Sequence, residues 1–328
     1  MGVMPLVALR AIVPGSGGDV RGALRPCVLL TIANFSLNNE ASQHSHTTKE
    51  ASIGHTYASQ GGSDYVTYVA THASLLGKPY DEYYGFVATI DVYGYNISRG
   101  QMSVSAVWIA NVGNGSKESY NDIQVGWMVS PIIYGDSHTH FYTHWTRDGY
   151  VSGCYNMECP GFQLEQGSKI FPGDIISSTS TTGGSGHTIT IKVFKDKSSQ
   201  NWWLYCGIND ETPTAVGYYP ANIFTTLAEK ANSIAFGGGS RAIKSLTTPP
   251  MGSGSLPSSN AAFISNLQYV DQDGQVTLIQ SDLPIIAANP KCYYVSPIVG
   301  SKFSYGAHQA AFSYMGNICG RIINVIKL

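Results

Sequence analysis

The stretch Thr188-Ile-Thr-Ile-Lys-Val193 gives the clearest indication of the fold. Its apolar residues recur at every second position: Ile189, Ile191 and Val193. Because side chains alternate between two faces along a β-strand, these residues predict a strand with one buried face. Turn-forming residues stand on both sides, at 182–187 and 195–200. This pattern is typical of an antiparallel β protein.

Similar alternation recurs along the chain from residue 53 onward, and residues 1–52 have no clear periodicity. We therefore predict a poorly ordered leader over 1–52 and one β domain over 53–328. One short helix is predicted from Pro220 to about Ala231, since proline is favourable at a helix start. The glycines of Phe236–Ser240 predict a turn. Besides Thr188–Phe194, the predicted strands are Tyr65–Ala70, Phe86–Tyr93, Met102–Asn111, Ile123–Val129, Phe141–Thr146, Trp202–Cys206, Ala262–Val270 and Val276–Gln280.

Many short strands with a single short helix indicate an all-β, antiparallel sandwich or barrel. The composition narrows the function as well. Charged residues make up 12% of the 328 residues, about half of the roughly 25% usual in soluble domains, and the net charge is −2. So weak a charge argues against nucleic-acid or anionic-membrane partners. Val28–Phe35 is apolar but too short for a membrane span.

The cysteines and glycosylation sequons point to an oxidising, extracellular location, although Met1–Val13 is not a clear signal peptide. None of the six cysteines forms a C-x-x-C pair, which argues against a zinc ribbon or a thioredoxin-type site. Cys154 and Cys159 are close enough in sequence for a local bridge. Sequons occur at Asn34, Asn96 and Asn114.

Motifs for the common cofactors are missing from the sequence, so no cofactor is predicted. Three histidines, His138, His140 and His144, would share one face of a strand and offer an open zinc site. The alternative is solvated or hydrogen-bonded strand histidines. We favour that alternative and predict no metal, because a turn follows Asp136 and no carboxylate stands at a supporting position.

A series of motifs resembles the neprosin family, a plant group of secreted glutamic peptidases. The resemblance spans roughly residues 53–320, and the order and spacing of the motifs make it specific. The motifs are Tyr83-Tyr-Gly85 through Trp108, Ile123-Gln-Val-Gly-Trp127, Tyr134-Gly-Asp136, Trp145-Thr-Arg-Asp-Gly-Tyr150, Gly153-Cys-Tyr-Asn-Met-Glu-Cys-Pro-Gly-Phe162, Asn201-Trp-Trp203, Gly217-Tyr-Tyr-Pro220 and Met251-Gly-Ser-Gly254.

The resemblance implies a sandwich of two large antiparallel sheets. It also implies a Cys154–Cys159 bridge, and a second bridge between Cys292 and Cys319 in the family's C-terminal region. Active members cleave after proline at acidic pH with two glutamates. One acts as general base on a water molecule, and the other helps to stabilise the tetrahedral intermediate.

Neither glutamate is present in this chain. The first stands in an Ile-Glu-Ala-Gly-Trp motif, where this chain has Gln124. The second stands in a segment resembling Met-Gly-Ser-Gly-His-Phe-Pro-Glu-Glu-Gly, where this chain has Ser258 and Ser259. Period-two alternation places Gln124 on the face opposite Ile123, on the side of the substrate groove. The alternative is an ordinary surface glutamine on a strand.

A serine hydroxyl cannot accept a proton from water at working pH, so the missing base predicts a loss of about 10²–10⁴ in rate. The resemblance thus implies a post-proline endopeptidase scaffold, and the substitutions predict that its activity is lost or weakened. The alternative is a binding module that holds extended proline-rich or glycosylated wall proteins without cutting them. In either case the partner is a proline-containing peptide. Substrate contact is assigned to three aromatic residues of the motifs, Trp127, Tyr134 and Trp145.

Overall fold

The computed structural model describes residues 65–74, 82–255, 260–281, 283–287 and 292–307. These residues form an all-β sandwich of two large antiparallel sheets, which confirms the predicted fold class. The predicted leader, 1–52, lies outside them. Within the described part of the chain, no helix has the length and apolar character needed to cross a membrane.

The described residues form sixteen strands, and all nine of the predicted strands are among them. Their bounds are β1 Tyr65–Ala73, β2 Gly85–Asp91, β3 Gln101–Asn111, β4 Asn121–Val129, β5 His140–Thr146, β6 Gly153–Tyr155, β7 Gln163–Leu164, β8 Thr188–Lys195, β9 Trp202–Ile208, β10 Thr214–Tyr219, β11 Ser233–Ile243, β12 Ala262–Val270, β13 Val276–Leu278, β14 Ile285–Ala287, β15 Tyr293–Val295 and β16 Phe303–Ala307.

One sheet has seven strands in the order β14-β1-β11-β3-β4-β5-β6. The second has nine strands, eight in the order β15-β16-β12-β2-β8-β9-β10-β7, with β13 paired to β12. The main core lies between the two sheets. It contains the odd-numbered residues of β4, Ile123 to Val129, together with Ile189, Ile191 and Val193 of β8. The alternation that predicted these strands thus also identifies their buried faces.

The helix predicted from Pro220 to about Ala231 is wrong. The segment forms two single 3-10 turns, Ala221–Ile223 and Thr226–Ala228. The carboxamide oxygen of Asn121 accepts bonds from the backbone N–H groups of Thr225 at 2.8 Å and of Leu227 at 3.3 Å. These N–H groups would otherwise bond within a helix, so the Asn121 side chain competes with helix formation.

The glycine-rich Phe236–Ser240 is not a turn, contrary to the prediction. It lies in the middle of β11, which pairs with β1 on one side and β3 on the other. Close packing explains the glycines, since a β-carbon at Gly238 would lie 2.6 Å from the ring of Tyr305. Glycine here allows a close approach between the sheets, a role that a glycine count alone does not reveal.

Candidate functional site

The even-numbered residues of β4 point away from the second sheet. Gln124 lies on this outer face, as the alternation predicts, and is 1% exposed. The strand register places Trp108 of β3 on one side of it and His144 of β5 on the other. Tyr155 of β6 follows next to His144. Aromatic and imidazole side chains therefore surround Gln124.

A buried carboxylate lies beside Gln124. Asp122, two residues earlier on β4, points to the same face and is 0% exposed. Its Oδ2 atom accepts a hydrogen bond from Gln124 Nε2 at 2.8 Å. The hydroxyl groups of Tyr120 and Tyr150 donate to the same oxygen at 2.9 Å and 2.6 Å. Three donors thus converge on one carboxylate oxygen, an arrangement that stabilises its charge.

The two tyrosines remain protonated in this setting. Burial, and then the charge of Asp122, raises the pKa of Tyr120 and of Tyr150 well above the ordinary tyrosine value. Both hydroxyl groups therefore act as hydrogen-bond donors to Asp122 throughout the range in which the protein would work.

His144 faces the other oxygen of the carboxylate. Its Nδ1 atom lies 3.5 Å from Asp122 Oδ1, and both side chains are almost fully buried. Neither atom has a hydrogen-bond partner among the described residues. The ring of His144 packs against those of Tyr150 and Tyr155, with centroids 5.5 Å and 4.8 Å away. Asp122 and His144 form a buried acid–imidazole pair next to Gln124.

The Gln124 amide has a single orientation. Its Nε2 also lies 3.3 Å from the Tyr150 hydroxyl, and the Tyr142 hydroxyl donates to its Oε1. Exchanging the amide oxygen and nitrogen would bring two acceptors, Oε1 and Asp122 Oδ2, into contact. Since an ionised carboxylate only accepts hydrogen bonds, the nitrogen must face Asp122. Gln124 therefore offers an amide held at both ends, and no base.

A tight turn brings Tyr150 over β4. Gly149 and Tyr150 both have left-handed backbone conformations, with φ of +65° and +69°. The Tyr150 backbone N–H donates to the Thr146 hydroxyl at 2.8 Å, which closes the turn. A left-handed conformation is unusual for a residue with a side chain, and the hydrogen bond helps to hold it. The turn thereby places the Tyr150 hydroxyl on Asp122.

The other residues predicted for catalysis and substrate contact lie in different places. Ser258 and Ser259 are outside the described residues. Trp127 and Trp145 do not line the outer face, because odd-numbered residues of β4 and β5 point into the core between the sheets. Tyr134 packs against the buried side chains of the outer face, which include Trp108, Met128 and Tyr142. Its ring stacks on that of His140, with the centroids 3.8 Å apart. Of these three aromatic residues, only Tyr134 is on the outer-face side.

The three histidines considered for zinc have separate partners. His138 is exposed and lies 3.3 Å from Asp136, and His140 bonds to Asp136 and to the Gly173 carbonyl oxygen. His144 faces Asp122 instead. In the described part of the chain, no group of three potential ligands is arranged to hold a metal ion.

Two further sets of predictions concern covalent chemistry. The Cys154–Cys159 disulfide is formed, as predicted. Cys292 is also disulfide-bonded, and Cys319, its predicted partner, lies outside the described residues. The sequon residues Asn96 and Asn114 are exposed, and Asn34 is outside the described residues.

Sequence reasoning missed the hydrogen-bonding partners of Gln124. Asp122 carried a usable signal, because the alternation that places Gln124 on the outer face places Asp122 there as well. Tyr142 and His144 follow from pairing β4 with β5 in the observed register. Tyr150 carried no such signal, since a turn rather than a strand positions it.

Solved structures to which the chain is similar at low sequence identity include two peptidases. A scytalido-glutamic peptidase bound to a peptide-based transition-state analogue is 11% identical, with a TM-score of 0.37. SCP-B, a member of the eqolisin family of peptidases, is also 11% identical, with a TM-score of 0.34. Each match covers 74% of this chain and 97% of the other. The Neprosin family model matches residues 99–317, more than half of the chain. The chain therefore belongs to the neprosin family.

Proposed function

We propose that this chain is a glutamic-peptidase-type scaffold directed at proline-containing peptides, with hydrolysis lost or strongly weakened. Its family supports the scaffold, and the geometry of Gln124 supports the impairment. Gln124 stands at the position of a family glutamate, and its amide nitrogen and oxygen are both hydrogen-bonded. An amide does not take a proton from water, so this position supplies no general base.

Serines stand at the second glutamate position, Ser258 and Ser259. Together with Gln124, they leave both family positions without a carboxylate. Loss of a positioned base costs about 10²–10⁴ in rate, and loss of a group at the oxyanion costs about another 10²–10³. Hydrolysis of the glutamic-peptidase type needs only side chains and water, so we propose no cofactor.

A digest tests this proposal. The chain, purified from a host that lacks secreted peptidases, is incubated with a proline-rich protein at pH 2.5–5, and the products are identified by mass spectrometry. We expect no cleavage after proline above that of a mock purification. An active member of the family serves as the positive control. Robust cleavage after proline by the unaltered chain would overturn the impairment.

A second candidate is a binding module for extended proline-rich segments. Three aromatic residues lie around Gln124: Trp108 on β3, Tyr142 on β5 and Tyr155 on β6. All three are buried, and Trp108 is the most exposed of them at 8%. Aromatic grooves are the usual recognition surface for the polyproline II conformation. Titration of a polyproline peptide into the chain and into a Trp108→Ala variant tests it. Saturable binding that the variant weakens is expected, and no saturation up to millimolar peptide contradicts the idea.

We further propose that the protein is secreted and glycosylated at Asn34, Asn96 and Asn114. The disulfide, the exposure of Asn96 and Asn114, and the family support this. Expression in a secreting eukaryotic host should give a product whose mass falls on enzymatic removal of N-linked glycans. Asn96→Gln and Asn114→Gln should each remove one glycan, and a product of unmodified mass would contradict the proposal.

A further inference from the structure

The side chains of Asp122 and Gln124 form a matched pair. They lie two residues apart on β4, both fully buried, with Gln124 Nε2 2.8 Å from Asp122 Oδ2. A carboxamide presents a donor to this carboxylate. A glutamate of the same length would present a second carboxylate at the same distance, and two carboxylates that share a site cannot both ionise freely.

Among the described residues, the groups that contact the pair do not balance a second negative charge. Tyr120 and Tyr150 donate to Asp122, Tyr142 donates to Gln124, and Tyr155 packs behind His144. The tyrosine hydroxyl groups are neutral. His144, with Nδ1 3.5 Å from Asp122 Oδ1, is the imidazole that faces the pair. An imidazole carries at most one positive charge, which can balance one carboxylate but not two.

We propose that Asp122 is the positioning residue of this site: it holds the Gln124 amide in place, and while it is ionised it excludes a glutamate from position 124. The single negative charge of the pair thus stands at position 122 rather than at 124. This inference rests on the proposed function only in identifying position 124 with a family glutamate. If Asp122 excludes a glutamate from position 124, the single substitution Gln124→Glu would not rebuild a working site.

A four-protein cycle tests the inference: the unaltered chain, Gln124→Glu, Asp122→Asn and the double variant. Chemical unfolding at a series of pH values between 3.5 and 8 gives the folding equilibrium constant of each. In Gln124→Glu, the neighbouring charge and burial raise the pKa of the new carboxyl group above that of the unfolded chain. Folding then favours the protonated form, so stability is present at low pH and lost as pH rises.

For Gln124→Glu we expect the folding constant, relative to the unaltered chain, to fall about 10²–10⁴-fold between pH 4 and pH 8. In the double variant, Asp122→Asn removes the repelling charge, and we expect most of this loss to disappear. Asp122→Asn alone keeps an acceptor for Gln124 Nε2 and should show no new loss at high pH. Gln163→Glu, on an exposed strand, is the matched control and should change little.

Two results would overturn the inference. One is a Gln124→Glu variant with the same pH dependence as the unaltered chain. The other is a double variant that is less stable at pH 7.5 than Gln124→Glu. If Asp122 only supported the fold, the stability lost in the double variant would equal or exceed the sum of the losses in the two single variants. If Gln124→Glu does not fold at pH 7.5, the double variant decides the question. Folding restored by Asp122→Asn supports repulsion between positions 122 and 124, and a double variant that stays unfolded contradicts it.

The cycle requires no catalytic turnover, so it is separate from the test of the proposed function. Cleavage after proline by the unaltered chain would contradict the impairment and leave the stability result intact. As a further arm, each variant also receives Ser258→Glu or Ser259→Glu and is assayed on the proline-rich substrate. Among the sets that carry Gln124→Glu, we expect the one with Asp122→Asn to regain more activity than the one that retains Asp122.

Discussion

The indole nitrogen of Trp127 donates a hydrogen bond to the backbone carbonyl oxygen of Asp91 at 2.8 Å. Trp127 belongs to β4 of the seven-stranded sheet and Asp91 to β2 of the nine-stranded sheet. The bond therefore crosses the core and joins the two layers. Trp127 is 0% exposed, so the indole donor of this bond is shielded from water. Its role is to fix the sheet that carries Gln124 against the second sheet.

Trp127→Phe should destabilise the fold by about 2–4 kcal/mol, because it shrinks a core side chain and leaves the Asp91 carbonyl oxygen unpaired. Urea unfolding followed by circular dichroism measures the change. Trp203→Phe is the matched control, since Trp203 is only partly buried, and should cost less than about 1 kcal/mol. Equal losses in the two variants would contradict the role given to the Trp127 bond.

The side chain of Asp91 should make stability depend on pH. Burial raises its pKa, although the Phe263 backbone N–H, which donates at 2.9 Å, and the charge of Lys302 oppose the shift. An acid with a raised pKa in the folded state contributes stability that is lost as pH rises above about 4. Asp91→Asn, which keeps an acceptor for Phe263, should gain stability relative to the unaltered chain as pH increases from 3.5 to 6.5. Parallel pH profiles would contradict this.

Gly126 should not tolerate a side chain. A β-carbon there would lie 2.0 Å from the Ser105 carbonyl oxygen and 2.6 Å from Ala106 Cα. Both are backbone atoms that cannot move without disturbing β3, so Gly126→Ala should cost at least about 2 kcal/mol. Gly186→Ala is the control, since open space surrounds that position, and its unfolding midpoint should stay close to that of the unaltered chain. A Gly126→Ala variant as stable as Gly186→Ala would refute the steric argument.

The thiol of Cys206 should be unreactive in the folded protein. It is a free, buried cysteine, and burial together with the charge of Glu211 raises its pKa to about 12. Thiol reagents attack the thiolate, which is scarce at pH 8 for such a group. The difference in labelling between the unaltered chain and Cys206→Ala should be close to zero in native buffer and one equivalent in denaturant. Prompt native labelling of Cys206 would contradict this.

Periodicity predicted the strands wherever one face is apolar and the other polar. Thr188–Lys195 alternates between buried and intermediate residues along its length, and its prediction is confirmed. β11 was missed because its residues are buried on both faces and its centre is glycine-rich. The helix was mispredicted because Asn121, about a hundred residues earlier, takes the N–H groups that a helix needs. Contacts distant in sequence overrode local propensity in both cases.

The site was predictable only to the level of the strand that bears it. The alternation of β4 places Gln124 on the outer face, but Tyr150 reaches Asp122 through a turn held by Thr146. The aromatic motifs indicated the family, but they did not indicate whether each aromatic side chain faces the core or the outer face of the sheet. Trp127 belongs to such a motif, yet it supports the site from inside the core. In the sequence, an aromatic residue that supports a site from the core cannot be distinguished from one that lines the site.

Within the described part of the chain, the side chains that hydrogen-bond to Gln124 or Asp122 come from β4, β5 and the residues next to them, between positions 120 and 150. β1 and β11, in contrast, pair across more than 150 residues of intervening chain. The two residues of the proposed pair, Asp122 and Gln124, therefore lie within one short block of coding sequence. Recombination between related genes can exchange that whole block, so the carboxylate at 122 and its neutral partner at 124 can be inherited together.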